Sequence, residues 1–404
     1  MPRPLNIVVL GGSFSGLSVA HHFLDHIIHQ LSTFENAPTY RVVLVSPSTH
    51  LYFNVCAPRA LVTPNLIHTE DAFIPIEPAF ARHPFNEFTF MQGWATSVDT
   101  SARRVTVELR HSKSQTIQYH ALVIATGSSA YSPLYSLHGT HEQTMAELRD
   151  FHRRLEHAHS VMIVGGGPSG CETAGQLAQY FNQRRFKGKI PKTITLLSGN
   201  TRLLPKLHPA ISKKAERQLK RLGVHVVHNL REVSNTLNGD GSSNCILNND
   251  MTITSDLLIS ATGVYANSQF LPDHMLDENG YVVTSPETLR IHGPGIGDRV
   301  YAVGDCAAYS KNYVLDVYDA IPVLMKNLHN DLLSHEIEAL EDACYVQNPT
   351  DTQLIPIKRF GGVGVIYGWR VPSIMVYLLK GRTYKVGKAK GAVGRGKNPY
   401  DSPG

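Results

Sequence analysis

The 404-residue chain has little cysteine: five residues, Cys56, Cys171, Cys245, Cys306 and Cys344, with no C-x-x-C or C-x4-C pair among them. An odd, unpatterned set fits a reducing compartment, and it excludes the redox dithiol on which a disulfide reductase depends. Long apolar runs are missing as well. Residues 371–379 are nine mostly apolar positions, where a membrane span needs about 20. Charge is modest, with 18% charged residues and a net of +5, too weak a basic bias to argue for nucleic acid. The N-terminus runs straight into an apolar strand with Pro2 at its second position, so neither a cleaved signal peptide nor N-myristoylation on a glycine is expected.

What is present describes an ordinary globular protein. The hydrophobic fraction is 42%, and the length suffices for two or three domains with full cores. The strongest signal lies at residues 161–172, an apolar run that breaks into Gly165, Gly167 and Gly170 and opens a helical pattern from Glu172. In a G-x-G-x-x-G turn the first glycine permits the bend and the second lets backbone approach a pyrophosphate. The third lets helix and strand pack closely, and the phosphate sits at the helix's positive end. An echo stands 154 positions earlier, where an apolar strand at 5–10 runs into Gly11, Gly12, Ser13, Phe14, Ser15 and Gly16, followed by a helix over 17–31. Two dinucleotide sites in one chain suggest that electrons pass between two cofactors.

Two acids are absent where such sites often carry one. The strand after each glycine turn ends in Ser46 or Ser198 rather than in the Asp or Glu that holds a ribose 2′-OH. After the second, Arg202 either accommodates the 2′-phosphate of NADP or is a solvated loop charge. Alternating residues between 88 and 118 predict a short antiparallel meander. It leads to an apolar strand closing in Ala125, Thr126 and Gly127, and a second copy closes in Ala261, Thr262 and Gly263. A further strand runs into Gly304 and Asp305, where the carboxylate either meets a sugar hydroxyl or caps a helix. Residues 320–327 predict a helix start with Pro322 in its first turn. Residues 212–222 predict a helix with five cations, a phosphate or lipid patch or simply a solvated face. The segment 371–379, followed by Lys380, Arg382 and Lys385, either lies in a membrane interface or closes the core. The Gly/Lys-rich stretch 386–404 is expected to be disordered.

These motifs, in this order over residues 5–385, resemble the pyridine-nucleotide oxidoreductases with two dinucleotide-binding domains. The turn at 11–16, the loop from Asn54 to Arg59 and residues 361–372 look like the apoptosis-inducing-factor-like branch, nearest its ferroptosis-suppressor type and fungal relatives. The resemblance implies an α/β fold of two Rossmann-like, glutathione-reductase-like domains and a small α+β C-terminal region. An FAD domain would take residues 1–130 and 262–330, an NAD(P)H domain 131–261, and the C-terminal region 331–385. By matching position, FAD would contact Gly11, Gly12, Ser13, Phe14, Ser15, Gly16, Asn54, Arg59, Ala95, Gly127 and Asp305. Amides near Val323, Leu324 and Met325 would meet the flavin. NADPH or NADH would lie on Gly165, Gly167 and Gly170, near Gly263, with Glu172 reaching the nicotinamide as the catalytic carboxylate and no metal involved. The activity implied is hydride transfer from NAD(P)H to FAD and then electrons to a small acceptor, a quinone by family likeness. The rival readings are reduction of a protein carrier of ferredoxin or rubredoxin type, and a redox-gated binding protein with incidental turnover. The implied location is intracellular, in the cytoplasm or on a membrane such as a mitochondrial or lipid-droplet surface, with peripheral contact through 371–385.

Overall fold

The computed structural model describes residues 3–35, 37–110, 112–183, 189–334 and 340–401. Its larger sheet has seven strands in the order Val300–Ala302, Ala121–Ile124, Leu5–Leu10, Tyr40–Ser46, Phe88–Asp99, Arg104–Leu109, Gln115–Gln118. The first five are parallel. The last two return antiparallel as the expected meander. Leu5–Leu10 sits between two neighbours and reads as a nearly continuous apolar run because both of its faces are buried: Ile7 and Val9 join the core with Leu17 and Val19 of the first helix, and Val8 and Leu10 join it with Val98, Val105 and Val107 of the meander. Although Val300–Ala302 comes last in the chain, it adds beside Ala121–Ile124 and brings the following Gly304 and Asp305 to the same sheet edge as Gly11.

The second unit repeats the plan on a smaller scale. Four parallel strands run in the order His225–His228, Thr193–Ser198, Ser160–Val164, Leu257–Ser260, beside a three-stranded antiparallel sheet from Glu232–Leu237 to Thr252–Ser255. The helix before this unit, His141–His157, starts in a capping box of Thr140 and Gln143, which satisfies two backbone donors at its first turn. A short antiparallel pair, Ser128–Ala130 with Val264–Ala266, ties the two units together just beyond their Ala-Thr-Gly ends. The fold is therefore α/β with two Rossmann-like units. A small C-terminal region adds the three-stranded sheet Gln353–Lys358, Gly361–Ile366, Trp369–Arg370 and a helical stretch, Ser373–Val376 continuing as Tyr377–Gly381.

Two expectations need correction. The helix expected to start near Ala320 runs from Val314 to Leu333, with Pro322 inside it. Helix N–H groups without an intrahelical acceptor lie in the first turn, where Asp316 already donates to the Tyr313 carbonyl at 3.0 Å; Val323 and Leu324 lie inside the helix, and the Leu324 side chain is fully buried. Proline was misread as a start signal because the long apolar stripe carried the helix past it at a local cost.

The second correction concerns the tail. Residues 389–395 form the helix Ala389–Arg395, with Ala389, Ala392 and Val393 buried. It packs on the helix Phe14–His22, where Gly396 approaches so closely that a Cβ would lie 2.8 Å from the Ser18 Cα. The His21 ring, stacked on Phe80, donates from Nε2 to the Val393 carbonyl (2.7 Å) and accepts at Nδ1 from Arg82 (3.1 Å). Composition suggested disorder, but Ala389, Ala392 and Val393 are almost wholly buried in the core, and that packing holds the helix in place. Burial lowers the His21 pKa from 6.5 to about 4, so the unfolded chain takes up a proton first as pH falls. Stability is therefore full above pH 6.5 and is lost between 6.5 and 4, by about 3 kcal/mol at the lower limit. Amide exchange over residues 389–396 should quicken between pH 7 and 4.5 beyond its intrinsic dependence; unaltered protection would refute this.

Candidate functional site

The two glycine turns share one geometry. Gly11 has φ +120° and Gly165 φ +124°, a region that side chains avoid. A Cβ on either would lie 2.1 Å from a backbone oxygen, that of Ala125 or of Ala261. A Cβ on Gly16 would meet the Gly11 oxygen at 1.8 Å, and one on Gly170 the Gly165 oxygen at 1.9 Å. The middle position differs. Gly167 has φ −79° and open space around a Cβ, which explains why Ser13, at φ −117°, is tolerated as its counterpart. Each turn opens a helix, Phe14–His22 and Pro168–Phe181, with no side chain capping its first turn. Both cradles therefore present free N–H groups and a positive dipole end where a Cβ would fill the space, and both fit a pyrophosphate.

Ser46 and Ser198 are equivalent in detail. Each hydroxyl closes a turn on the residue two further along, Ser48 at 2.9 Å or Asn200 at 3.3 Å, and both side chains are buried. Each also supports its turn from below, since a Cβ on Gly12 or Gly166 would approach it within 2.6 Å. These serines thus shape the turn, a role that the sequence did not assign to them. Arg202 folds onto the Pro205 carbonyl at 2.6 Å, leaving Nη1 buried without a partner. The cation beside Gly199 at the end of Thr193–Ser198 is Arg231, whose Nε donates to the Gly199 carbonyl at 3.3 Å. It comes from the loop after His225–His228 and carried no signal in the sequence.

Gly304 (φ +82°) lets its strand end abut the first helix, for a Cβ there would lie 2.1 Å from the Ser15 Oγ. Asp305 follows, its carboxylate accepting from the Ser128 hydroxyl at 3.3 Å. Burial pushes its pKa up to about 6, against the Ser128 bond. Gly127 and Gly263 both have positive φ and open space where a side chain would stand, as a ligand-facing turn requires. Phe14 is buried with its ring edge on Phe53. Asn54 is exposed at the start of a 3-10 turn. Ala95 lies just past Gln92, the residue paired with Ser46, and its backbone pairs with Val107 beside a bulge.

Arg59 donates from Nε to Gln176 (3.0 Å) and from Nη1 to the Arg382 carbonyl (3.1 Å), and it lies 4.3 Å over the Tyr384 ring. Arg59 thus joins the helix Pro168–Phe181 to the C-terminal region. Beside it lies Glu172, 2% exposed, whose Oε1 accepts from Lys380 Nζ at 2.7 Å. Lys380 also donates to the Leu354 carbonyl at 3.1 Å. The Tyr384 hydroxyl donates to the Pro356 carbonyl at 3.3 Å and lies beside the buried Glu172 carboxyl. Burial raises the Glu172 pKa against the pull of Lys380. Burial opposes the Lys380 charge, yet the Glu172 carboxylate holds its pKa above the usual lysine range. The pair is a buried proton-bearing site at the junction of the second unit and the C-terminal region. Lys380, Gln176 and Tyr384 escaped the sequence reading; a lysine ending an apolar run looks like a headgroup anchor.

The five cysteines are all free, four of them buried, and the described residues hold no cluster suited to a metal. Residues 5–327 match the family model described as pyridine nucleotide-disulphide oxidoreductase. Oxidoreductase phnG of Penicillium herquei is 36% identical over 394 residues, covering 94% of this chain and 93% of that protein. Ferroptosis suppressor protein 1 of Homo sapiens is 25% identical, covering 94% and 93%. Among solved structures, NDH2 from Plasmodium falciparum in complex with NADH superposes with a TM-score of 0.67 at 14% identity, covering 97% of this chain and 99% of that one. The chain belongs to the pyridine nucleotide-disulphide oxidoreductase family, whose members use FAD and NAD(P)H, and it does so without a redox dithiol.

Proposed function

We propose that this chain is an NAD(P)H:quinone reductase. The observation that carries the reading is the buried Glu172–Lys380 pair, Nζ to Oε1 at 2.7 Å, in a chain whose free cysteines form no pair to take up electrons. Bound FAD supplies the two-electron relay between nicotinamide and acceptor. The protein's own part is to seat two dinucleotides on two glycine turns and to hold the units together through the strand pair Ser128–Ala130 with Val264–Ala266. Reduction of a quinone to a hydroquinone consumes two electrons and two protons, and a lysine re-protonated from water can deliver one of them. Arg231 beside Gly199 and the missing acid at Ser198 support NADPH as the preferred donor.

The test is anaerobic. The yellow protein is reduced with NADPH or NADH, and its reoxidation is followed with short-chain quinones, dyes and an acidic ferredoxin. Rapid reoxidation by quinones, little affected by ionic strength, is expected. Reoxidation by the ferredoxin alone, falling steeply with salt, would transfer the assignment to a protein-carrier reductase. A long-lived reduced complex with every acceptor would favour a binding protein.

A further inference from the structure

The helical stretch 373–381 is turned inside out. Lys380 faces inward to Glu172, and Val376 and Gly381 are buried with it. Ile374, Met375, Leu378 and Leu379 face solvent, Ile374 at 52% and Leu378 at 59%. Trp369, on the adjoining hairpin, is 81% exposed. A water-facing helix would reverse this order, and large exposed apolar groups gathered in one place mark an interaction surface. Charge points to the partner's nature. Between Asp351 and Asp401 the sequence has ten lysines and arginines and no acid.

A cavity of about 270 Å³ lies between the helix Pro209–Arg221 and the C-terminal sheet. Lys214, Arg217 and Arg370 converge on it over a floor that includes Ile211, Val363 and Val371. Arg370 touches the His208 ring at 3.0 Å. The acid on that helix, Glu216, is engaged by Lys220 and His228, and among the described residues no carboxylate pairs with the three cations. Three unpaired cations over an apolar floor, beside a tryptophan and an outward apolar helix face, match a bilayer surface, with phosphates above and acyl chains below. No helix among the described residues is long and apolar enough to cross a membrane.

We propose that this face is a peripheral docking surface for anionic phospholipid. A headgroup phosphate occupies the Lys214, Arg217 and Arg370 cavity, and Trp369, Ile374 and Leu378 enter the acyl boundary. The same stretch that meets the lipid carries Lys380 on its inner side, so an acceptor dissolved in the bilayer reaches the protein where the proton is held. This deepens the quinone reading, but docking is measured by binding alone and stands or falls separately from turnover.

The test uses the full-length, FAD-loaded protein and vesicles of phosphatidylcholine, with or without phosphatidylserine. Flotation with the phosphatidylserine vesicles is expected, together with a blue shift of Trp369 emission in a Trp94→Phe background. The charge variant Lys214→Glu/Arg370→Glu should bind about thirtyfold more weakly, and Ile374→Ser/Leu378→Ser should lose the bound fraction. Both should keep wild-type flavin absorbance and turnover of a short-chain quinone, because Arg370, Ile374 and Leu378 are exposed, Lys214 is half-buried at the surface, and all four lie outside the site. Flotation that either variant leaves undiminished would overturn the proposal. So would binding that inorganic phosphate abolishes in full, which would mark a free-anion pocket instead of a bilayer contact.

Discussion

Glu172→Ala should lower stability by about 3–5 kcal/mol, the cost of leaving a buried lysine without its counter-ion, and slow the bleaching of FAD by NADPH by about a hundredfold. The two effects have different origins and can be separated. Lys380 is 13% exposed at its side chain, so it keeps its burial penalty when the carboxylate is removed. The double variant Glu172→Ala/Lys380→Met removes both charges and replaces the lysine stem with an apolar chain of similar length. It should recover most of the lost stability, since a buried ion pair is often no better than apolar packing. It should not recover the rate. Denaturant melts and stopped-flow absorbance on the two variants decide the matter. A single variant that bleaches at the wild-type rate would remove Glu172 from the mechanism, whatever its stability.

Alanine at Gly170 and at Gly16 should separate the two cofactor sites. In Gly170→Ala the new methyl would lie 1.9 Å from the Gly165 oxygen, far inside any van der Waals contact. Relief requires the helix Pro168–Phe181 to retreat from the turn that it completes. The expected product is a yellow protein that dithionite reduces and neither nicotinamide does, with at least a hundredfold loss of NADPH affinity if the turn opens by about an ångström. Gly16→Ala meets the Gly11 oxygen at 1.8 Å and should yield protein that purifies colourless. Gly167→Ala is the control, because its Cβ has open space, and it should change little. A Gly170→Ala protein that NADPH still reduces at the wild-type rate would refute the assignment of the second turn.

These glycines were legible because their constraint is local. A turn that needs φ near +120° and a strand-to-helix contact without a Cβ selects glycine at fixed spacing, whatever the rest of the chain does. The Ala-Thr-Gly ends and the apolar runs before them were read for the same reason. Ser13 stands where the second turn has Gly167, and the open space at Gly167 shows that this position does not require a glycine. Where the reading misled, the information was not local. The helix Val314–Leu333 passes through Pro322 on the strength of packing, and Val393 of the tail helix meets His21, 372 positions earlier.

The sequence by itself determined two nucleotide-type units, their order and the glycine turns that open their first helices, because backbone geometry writes those requirements into neighbouring residues. Only the tertiary structure decided that Lys380 lies inward against Glu172, 208 positions earlier, with four apolar side chains outward, and that a glycine- and lysine-rich tail folds back as a helix. Burial and charge pairing depend on which surfaces meet, and a chain carries no local record of a partner two hundred residues away.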